Sequence, residues 1–478
     1  DVSLTKDSHL IAASMADGTV RLVDFATGDE LCRILTLDKG REWLVITPEG
    51  LFEGSPEARN IVRYQIGTSD EIVPVDRFFN DFYHPGLLAE VWRGERPIPS
   101  DQIALPPLVH IVSPIKSSKV DQMMQTIVVE AVDQGGGAES ISLYVNERHL
   151  ETDDRLERVD RKTIRRTFHV LLSHGENQIV AKAKGRAGSG TGQSEAITLT
   201  YERPPEKVTL HVAAIGVGDY RENMFDLPAA KNDALELANL FSSRSRPLFK
   251  EVKVHRLVDD EVTKENVKAL FETIGKTATP DDVLLVTLAG HGYAIYDRYY
   301  FLPHPIVVKD KNQIDAAVQA QGISSDTLGE WMRVVKAQKC GMVIDTCQAG
   351  AAIQQLFLAR ASRSPFGFRK AIERLNRAEG IFIIAGASAS AEAKEQKELG
   401  HGLLTYSLLA SAGAVHVGPF KDKPIVLPNN NTATMDVLSW FSDAANKTQA
   451  LMQSYYQRDI DIPVHSSGIS FPLLPTLN

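Results

Sequence analysis

Two short apolar stretches, each followed by a reactive side chain, constrain the fold of this chain most. Residues 283–289 (VLLVTLA) lead into His291, and residues 340–344 (CGMVI) lead into Cys347. Apolar runs without alternation predict strands of a parallel sheet that helices cover on both faces. A helical pattern between the two runs, around residues 328–335, would form the return crossover. Because chemistry in open sheets collects beyond the carboxyl ends of the strands, His291 and Cys347 are predicted to meet there.

The length and charge of the chain limit what it can be. A chain of 478 residues is too long for one core, so two to four domains are expected. A formal net charge of −9 gives no reason to expect nucleic acid or an anionic membrane as a partner. No apolar run approaches the ~20 residues that span a bilayer.

The start of the chain and its cysteines predict where it works. The first residue is Asp1 and no signal peptide follows, so we expect a fragment or a processed chain. The only cysteines are Cys32, Cys340 and Cys347, too few for a disulfide framework. A reducing, cytoplasmic location is therefore the expectation.

The amino-terminal hundred residues predict a small β module and a connector. Residues 1–40 alternate apolar and polar positions in two strands, with turns at 17–18 and 27–29. They resemble the last blade of a WD-repeat propeller, with Val23 where the usual Trp stands; the alternative is an isolated β-hairpin. Residues 41–104 contain an aromatic-rich helical stretch and a proline-rich end, which predict a connector.

The rest of the chain changes from strands to alternating strands and helices. Residues 105–203 hold short alternating strands separated by Gly, Asn and Asp turns, which predict an immunoglobulin-like β-sandwich without a disulfide. Residues 207–475 predict an α/β domain with a mainly parallel sheet. Its strand candidates are 209–217, 251–258, 283–289, 340–344 and 381–385, with an edge piece near 462–473.

The paired strand ends have the residue types of nucleophilic catalysis. A thiol attacks a carbonyl only as the thiolate, and the small residues after Cys347 are suited to a helix start that favours this anion. His291 can serve as the base and later protonate the leaving amine. Gly292 has no Cβ, so its N–H, together with that of Cys347, can approach a substrate oxygen and form an oxyanion hole.

Less specific interpretations compete with this one. His291 can be a hydrogen-bonded core histidine, and Cys347 a small buried hydrophobe. A metal site competes poorly, since Cys340 and Cys347 would be roughly 23 Å apart along one strand. No spacing typical of a zinc site surrounds them.

A strand ending in His-Gly and a second ending in Asp-x-Cys-x-x-Gly resemble the caspase-like cysteine peptidases, closest to their metacaspase and prokaryotic branches. Residues 231–234 (KNDA) and 400–406 (GHGLLTY) also resemble that family. The resemblance covers about residues 207–475. True caspases have Gln-Ala-Cys-Arg-Gly at the nucleophile, whereas this chain has DTCQAG at 345–350.

The resemblance implies a cysteine endopeptidase without a cofactor that acts on proteins or peptides. In metacaspases an Asp two residues before the nucleophile and one from the first helix line an acidic pocket; here these are Asp345 and Asp233. Arg or Lys before the scissile bond is therefore expected. For Asp233 the alternative is a solvated helix charge. Calcium, which some metacaspases need, has no recognisable loop here.

Two other functional interpretations stay open, and so does the mode of control. The chain can be a catalytically silent caspase-like scaffold for protein binding, or belong to another branch of the clan such as the CHAT-type proteases. Control is expected from a regulatory protein on the amino-terminal β modules or from self-cleavage at Arg360, Arg363 or Arg369. The alternative for residues 369–377 is the solvated face of a helix.

Overall fold

A computed structural model describes residues 1–5, 9–67, 71–150, 155–203, 207–295, 297–308, 310, 313–347, 367–386, 395–396, 398–427, 433–459 and 462–476. Along the described chain, a six-stranded antiparallel sheet comes first. Two packed sheets follow, and an α/β domain comes last.

The first sheet is a meander whose strands pair in chain order. Its strands are β1 (Val2–Leu4), β2 (Leu10–Ser14), β3 (Val20–Asp24), β4 (Glu30–Leu37), β5 (Glu42–Ile46) and β6 (Phe52–Gly54). Since β4 pairs with β5, the sheet continues through residue 40, where the sequence predicts the end of a blade. It has six strands where a propeller blade has four, and the blade stays a prediction.

Short elements after β6 close the core of this sheet. They are α1 (Pro56–Ile61), β7 (Arg63–Gln65), β8 (Ile72–Pro74), α2 (Phe79–Phe82) and α3 (Leu87–Trp92), with a 3₁₀ turn at Val75–Phe78. Another 3₁₀ turn, Asp38–Gly40, joins β4 to β5. Phe78, Phe82 and Tyr83 pack in one cluster with Leu44 and Phe52 of the sheet. The predicted aromatic connector is thus part of the first core.

Two sheets enclose the next core. One holds β10 (Ser118–Val120), β12 (Ser140–Val145), β13 (Arg148–Leu150), β16 (Gly175–Lys184), β17 (Thr191–Gln193) and β18 (Ile197–Tyr201). The other holds β9 (Leu108–Ser113), β11 (Met124–Val132), β14 (Glu157–Arg158) and β15 (Thr163–Leu171). Alternate residues such as Ile127, Val129 and Ala131 point into the shared core, as the period-two pattern predicts. The immunoglobulin-like topology stays a prediction.

The α/β domain is built on a mainly parallel sheet. The strands of this part are β19 (Thr209–Gly216), β20 (Glu251–Val258), β21 (Val283–Ile295), β22 (Arg298–Phe301), β23 (Ile323–Ser324), β24 (Lys339–Cys347), β25 (Phe382–Ala385), β26 (Glu395–Gln396), β27 (His401–Gly402), β28 (Thr434–Asp436), β29 (Val464–His465) and β30 (Pro472–Pro475). The order across the sheet is β20-β19-β21-β24-β25-β29. Strands β19, β20, β21, β24 and β25 run parallel, and β29 is an antiparallel edge strand.

Helices cover both faces of this sheet. They are α4 (Pro228–Arg244), α5 (Lys264–Gly275), α6 (Ile314–Gln321), α7 (Ser325–Arg333), α8 (Gly367–Glu379), α9 (Leu403–Ser411) and α10 (Val437–Tyr456), with 3₁₀ turns at Asn223–Phe225 and Asp259–Glu261. One core joins α5, α7 and α8 to the sheet and the other joins α4, α9 and α10, which confirms the prediction from the unalternated apolar runs. Within the described chain, every helix is too short or too polar to cross a bilayer.

The two central strands run further than their apolar cores. Strand β21 continues past Ala289 to Ile295, because β22 folds back on it as an antiparallel partner. Strand β24 continues to Cys347, because its ladder with β21 extends that far. His291 therefore lies inside β21, whereas the sequence predicts it just beyond the strand.

Candidate active site

His291 and Cys347 are register partners on adjacent parallel strands. The ladder between β21 and β24 ends with Gly290 opposite Thr346 and His291 opposite Cys347. Neighbouring strands in a sheet lie about 4.8 Å apart. The prediction that the two residues meet at one sheet edge therefore agrees with the backbone pairing.

Gly290, the residue before His291, also has to be glycine. Its φ is 149°, a backbone conformation that other residues rarely adopt. A Cβ there would lie 2.9 Å from the Tyr220 hydroxyl.

The His291 ring is held in one tautomer. It is 1% exposed, and its Nε2 lies 2.8 Å from the carbonyl oxygen of Phe225. A carbonyl can only accept a hydrogen bond, so Nε2 carries the proton. In the neutral ring Nδ1 is then the proton acceptor. The rings of Tyr220 and Phe225 pack against the imidazole, with centroids 5.2 Å and 6.2 Å away.

The backbone N–H of Gly292 faces the β24 side of its strand. On the opposite side, the His291 N–H donates to the Tyr220 hydroxyl at 2.8 Å, and the His291 carbonyl accepts from the Leu302 N–H at 2.9 Å. Successive residues of a strand point their backbone groups to alternate sides. The next N–H along, that of Gly292, therefore points toward the strand that ends in Cys347.

A side chain at position 292 has no room. An added Cβ would lie 2.6 Å from Thr346 Oγ1 and 2.6 Å from the Tyr299 ring. The Tyr299 hydroxyl donates to Thr346 Oγ1 at 3.1 Å, and both side chains are buried. This close packing is one reason why position 292 needs glycine. The other is the reason given from the sequence, that a residue without a Cβ lets a substrate oxygen approach its N–H.

Asp345 is buried beneath the first turn of α9. It is 6% exposed and accepts hydrogen bonds from the Thr405 N–H at 2.9 Å and the Thr405 hydroxyl at 2.5 Å. Burial raises the pKa of Asp345, and the Thr405 hydrogen bonds oppose the rise. No Lys or Arg nitrogen of the described residues is in ion-pair contact with it.

Asp233 of α4 approaches the same place from the other side. It is 3% exposed, more buried than its position at the edge of the helix stripe predicts. It accepts from His401 Nδ1 at 2.8 Å and from the Gly402 N–H at 3.1 Å. Burial raises its pKa to about 7, with the Asp345 carboxylate adding to the rise and the His401 hydrogen bond opposing it.

The two carboxylates converge on Gly402. A Cβ there would lie 2.9 Å from Asp345 Oδ2 and 3.1 Å from Asp233 Oδ2. The two oxygens are thus at most about 6 Å apart, close enough to repel each other when both are ionised. The structure brings Asp233 and Asp345 together, as the resemblance implies.

A family model described as a caspase domain matches residues 210–450, about half of the chain. This chain belongs to the caspase-domain family. A caspase domain indicates a cysteine peptidase, and a peptidase domain implies proteins or peptides as substrates. The matched residues lie within the predicted domain at 207–475.

Comparison with solved structures gives only weak similarities. A protein from Geobacter sulfurreducens has 13% identity over 55% of this chain and 94% of its own, with a TM-score of 0.35. An endo-beta-1,4-mannanase from Thermotoga petrophila covers 20% of this chain and 19% of its own at 12% identity, with a TM-score of 0.17. A titin M4 structure covers 20% of this chain and 99% of its own at 14% identity, with a TM-score of 0.15. The search of curated proteins found no match.

The remaining residues that the sequence singled out in the caspase domain lie in different surroundings. Arg360 and Arg363 lie outside the described residues. Arg369 is exposed in the first turn of α8, so the alternative of a helix for this stretch agrees with the structure. The rest of the stretch is not a solvated face, because Arg377 is largely buried in an ion pair. Among the described residues no group of three His, Cys, Asp or Glu side chains could hold a metal ion. Cys340 is a buried free thiol whose pKa burial raises.

Sequence reasoning missed the groups that orient the site. His401 and Thr405 lie in the family-like run at 400–406, so that run was the available signal for them. Tyr220 and the Phe225 carbonyl come from the loop between β19 and α4, where no motif marks them. A backbone carbonyl as the partner of His291 leaves no trace in the sequence, because every residue has one.

Proposed function

We propose that this caspase domain is a cysteine endopeptidase that cleaves after Arg or Lys. Cys347 is the nucleophile and His291 the general acid and base. The N–H groups of Gly292 and Cys347 stabilise the oxyanion, and Asp233 with Asp345 binds the basic side chain before the scissile bond.

The observation that carries this proposal is a buried pair of carboxylates whose ion-pair contact among the described residues is with His401, a cation only when protonated. Asp233 and Asp345 share hydrogen bonds with Thr405, His401 and Gly402, and within the described chain no Lys or Arg is in ion-pair contact with either. Two ionised carboxylates about 6 Å apart repel by on the order of 3 kcal/mol at an effective dielectric constant of ~20. A substrate guanidinium or ammonium would replace this repulsion with two attractions.

The reaction follows from the groups around His291. Nδ1 accepts the Cys347 thiol proton, and the thiolate attacks the scissile carbonyl carbon. The carbonyl oxygen gains the charge and accepts hydrogen bonds from Gly292 and Cys347 N–H. His291 then returns its proton to the leaving amine, and a water hydrolyses the thioester with His291 as base. The Phe225 carbonyl stabilises the imidazolium that forms in between.

Fluorogenic peptides that end in Arg, Lys or Asp test the proposal. We expect cleavage after Arg and Lys and none after Asp, and loss of all cleavage in the Cys347→Ala and His291→Ala chains with little change in melting temperature. Cys340→Ser serves as the matched thiol control and should keep the activity. Full activity in Cys347→Ala would overturn the mechanism, whereas no cleavage by the wild-type chain would favour the catalytically silent scaffold.

Control of the enzyme is a separate part of the proposal. We expect the amino-terminal β modules to bind a regulatory protein, and the chain to cut itself after Arg360, Arg363 or Arg369. A cut at Arg369 requires the first turn of α8 to unwind, so Arg360 and Arg363 are the preferred sites. Mass spectrometry of new termini in wild-type and Cys347→Ala chains tests this, since only the active chain should show them.

A further inference from the structure

A polar cleft lies where the amino-terminal module, the two-sheet sandwich and the caspase domain meet. Its volume is about 450 Å³, within the range of sites for small ligands. One wall is the outer face of β12, β16 and β17, and the facing wall is α7 and α8. Residues 76–80, before and within α2, close one end.

The sandwich wall presents two parallel rows of donor groups. In the first row Ser142, Lys182 and Gln193 are register partners across three strands. The second row is Ser140, Lys184 and Thr191, in the same register two residues along. All six side chains line the cleft. Each row thus places a lysine between two polar side chains, and the rows are separated by about 7 Å.

The two lysines of this wall and the adjoining Arg77 lack a direct ion-pair partner in the described chain, unlike the arginines across the cleft. Among the described residues, no carboxylate forms an ion pair with Lys182, Lys184 or Arg77. On the facing wall, Arg377 pairs with Asp76 at 2.6 Å, and the other arginines of that wall also have carboxylate partners. With six Lys and Arg side chains against four carboxylates in its lining, the cleft carries an excess of positive charge.

Lys182 is the most constrained of these cations. Its Nζ lies 4.1 Å from the centroid of the Tyr144 ring. Beside it, Arg77 Nη1 donates to Gln193 Oε1 at 2.6 Å. Burial lowers the pKa of Lys182 to about 8, and the positive charges of Arg77 and Arg377 add to the effect. A bound anion would offset both causes.

We propose that this cleft binds a small molecule with two or more phosphate groups, held by the rows around Lys182 and Lys184. Lysine and hydroxyl donors on an open sheet face suit tetrahedral phosphate oxygens, which accept hydrogen bonds from several directions. A ligand there would connect the sandwich to α8, the helix that precedes β25 of the catalytic sheet. The site is separate from the peptidase chemistry and does not depend on the proposed specificity.

Calorimetric titration of the full Cys347→Ala chain with inorganic tripolyphosphate tests the proposal without any peptidase readout. We expect saturable binding that weakens at least about ten-fold in Lys182→Met and in Lys184→Met, equivalent to about 1.4 kcal/mol. Lys182→Arg should retain most of the affinity. Lys184 is exposed, so its substitution should not disturb folding.

Lys116→Met is the matched control, an exposed lysine of the same sandwich outside the cleft. Absence of binding to the starting chain would overturn the proposal, and so would an equal loss in Lys116→Met, which indicates general charge attraction. Malonate, tested as a dicarboxylate, should bind much more weakly. Equal affinity for malonate would overturn the phosphate assignment. ADP that binds like tripolyphosphate would point to a nucleotide as the source of the phosphates.

Discussion

Two pairs of buried carboxylates in this chain have opposite surroundings. Glu373 and Glu379 of α8 are 5% and 1% exposed, and Asp233 and Asp345 of the candidate active site are 3% and 6% exposed. All four have lost almost all contact with water. They differ in whether the protein supplies a permanent cation for each charge.

The glutamates of α8 are neutralised by arginines from other parts of the chain. Glu373 contacts Arg59 of α1, which is fully buried, and Arg377 at 3.1 Å. Burial alone would raise the pKa of Glu373, but the two guanidinium groups lower it below its ordinary value. Glu379 lies 3.5 Å from Arg148 of β13 and 2.6 Å from Arg333 of α7.

The aspartates of the site have hydrogen bonds without such a cation. Their pKa values are raised, whereas that of Glu373 is lowered. The α8 pair thus joins the caspase domain to the two modules before it, whereas under our proposal the site pair finds its Lys or Arg cation only in a substrate. Four substitutions test this contrast.

The largest effect is expected from Arg59→Met. It leaves Glu373 buried with one guanidinium instead of two and removes the stacking of Arg59 on the Tyr83 ring, 4.7 Å from its centroid. Breaking a buried ion pair from one side costs about 3–5 kcal/mol of unfolding free energy. Urea denaturation measures this loss of unfolding free energy.

An exposed ion pair provides the control for Arg59. Arg93 and Glu95 are 2.8 Å apart with more than half of each side chain exposed, so Arg93→Met should cost less than about 1 kcal/mol. Adding Glu373→Gln to Arg59→Met should recover part of the loss. If Arg59→Met is as mild as Arg93→Met, α8 is not held by its charges.

The next effect is on catalysis, in Asp345→Asn. An amide keeps the shape and can still accept from Thr405, but it cannot neutralise a substrate cation. We expect kcat/KM for Arg peptides to fall roughly 30- to 1000-fold, corresponding to about 2–4 kcal/mol of a buried charge pair. The melting temperature should stay the same or rise, because one of two repelling charges is gone. A fall in melting temperature without a change in kcat/KM would make Asp345 a structural residue like Glu373.

Asp233→Asn should change the pH dependence of stability. The folded pKa of about 7 lies above the ordinary value of 3.8, so the folded chain binds more protons than the unfolded chain between these values. Its contribution to stability is therefore present below pH 3.8 and is lost as the pH rises through about 7. Relative to wild type, the variant should be more stable at pH 8 than at pH 5.

Urea denaturation at both pH values measures this difference, with Asp443→Asn as a partly exposed control in an ion pair on α10. Cleavage of Arg peptides by Asp233→Asn should fall about ten-fold, less than in Asp345→Asn. An unchanged pH profile of stability would mean that Asp233 is already ionised in the fold.

The smallest effect is expected from Thr405→Val. It removes the hydroxyl that donates to Asp345 at 2.5 Å and leaves the N–H bond. A lost hydrogen bond to a charged group costs about 1–2 kcal/mol, so kcat/KM for Arg peptides should fall several-fold. The pH at which Asp345 ionises should move upward. Thr405→Ser should restore both values, and failure to do so would assign the loss to packing.

Much of the fold followed from the spacing of apolar residues. The unalternated runs at 283–289 and 340–344 became adjacent parallel strands covered by helices, and the alternating run in β11 buries every second residue. Thr263 caps α5 by accepting from the Asn266 N–H, a role that threonine favours at a helix start. These features depend on neighbours in sequence, so the residues themselves carry the information.

Other features were decided by contacts between distant segments. The pairing of β4 with β5 joined the predicted blade to its connector, and β22 lengthened β21 past His291. The arginines around α8 were not singled out from the sequence. An Arg59 that pairs with Glu373 looks the same in sequence as one on the surface, because burial depends on which element packs over it.

The sequence by itself determined that a histidine and a cysteine follow the apolar runs of two neighbouring strands, and a family motif identified two aspartates beside them. Only the tertiary structure decided that the Phe225 carbonyl sets the tautomer of His291, that Gly292 points its N–H toward β24, and that both aspartates converge on Gly402. The reason is physical. Periodicity assigns a side chain to a face of a strand or helix, whereas its pKa and hydrogen-bond partners depend on groups brought there by remote parts of the chain.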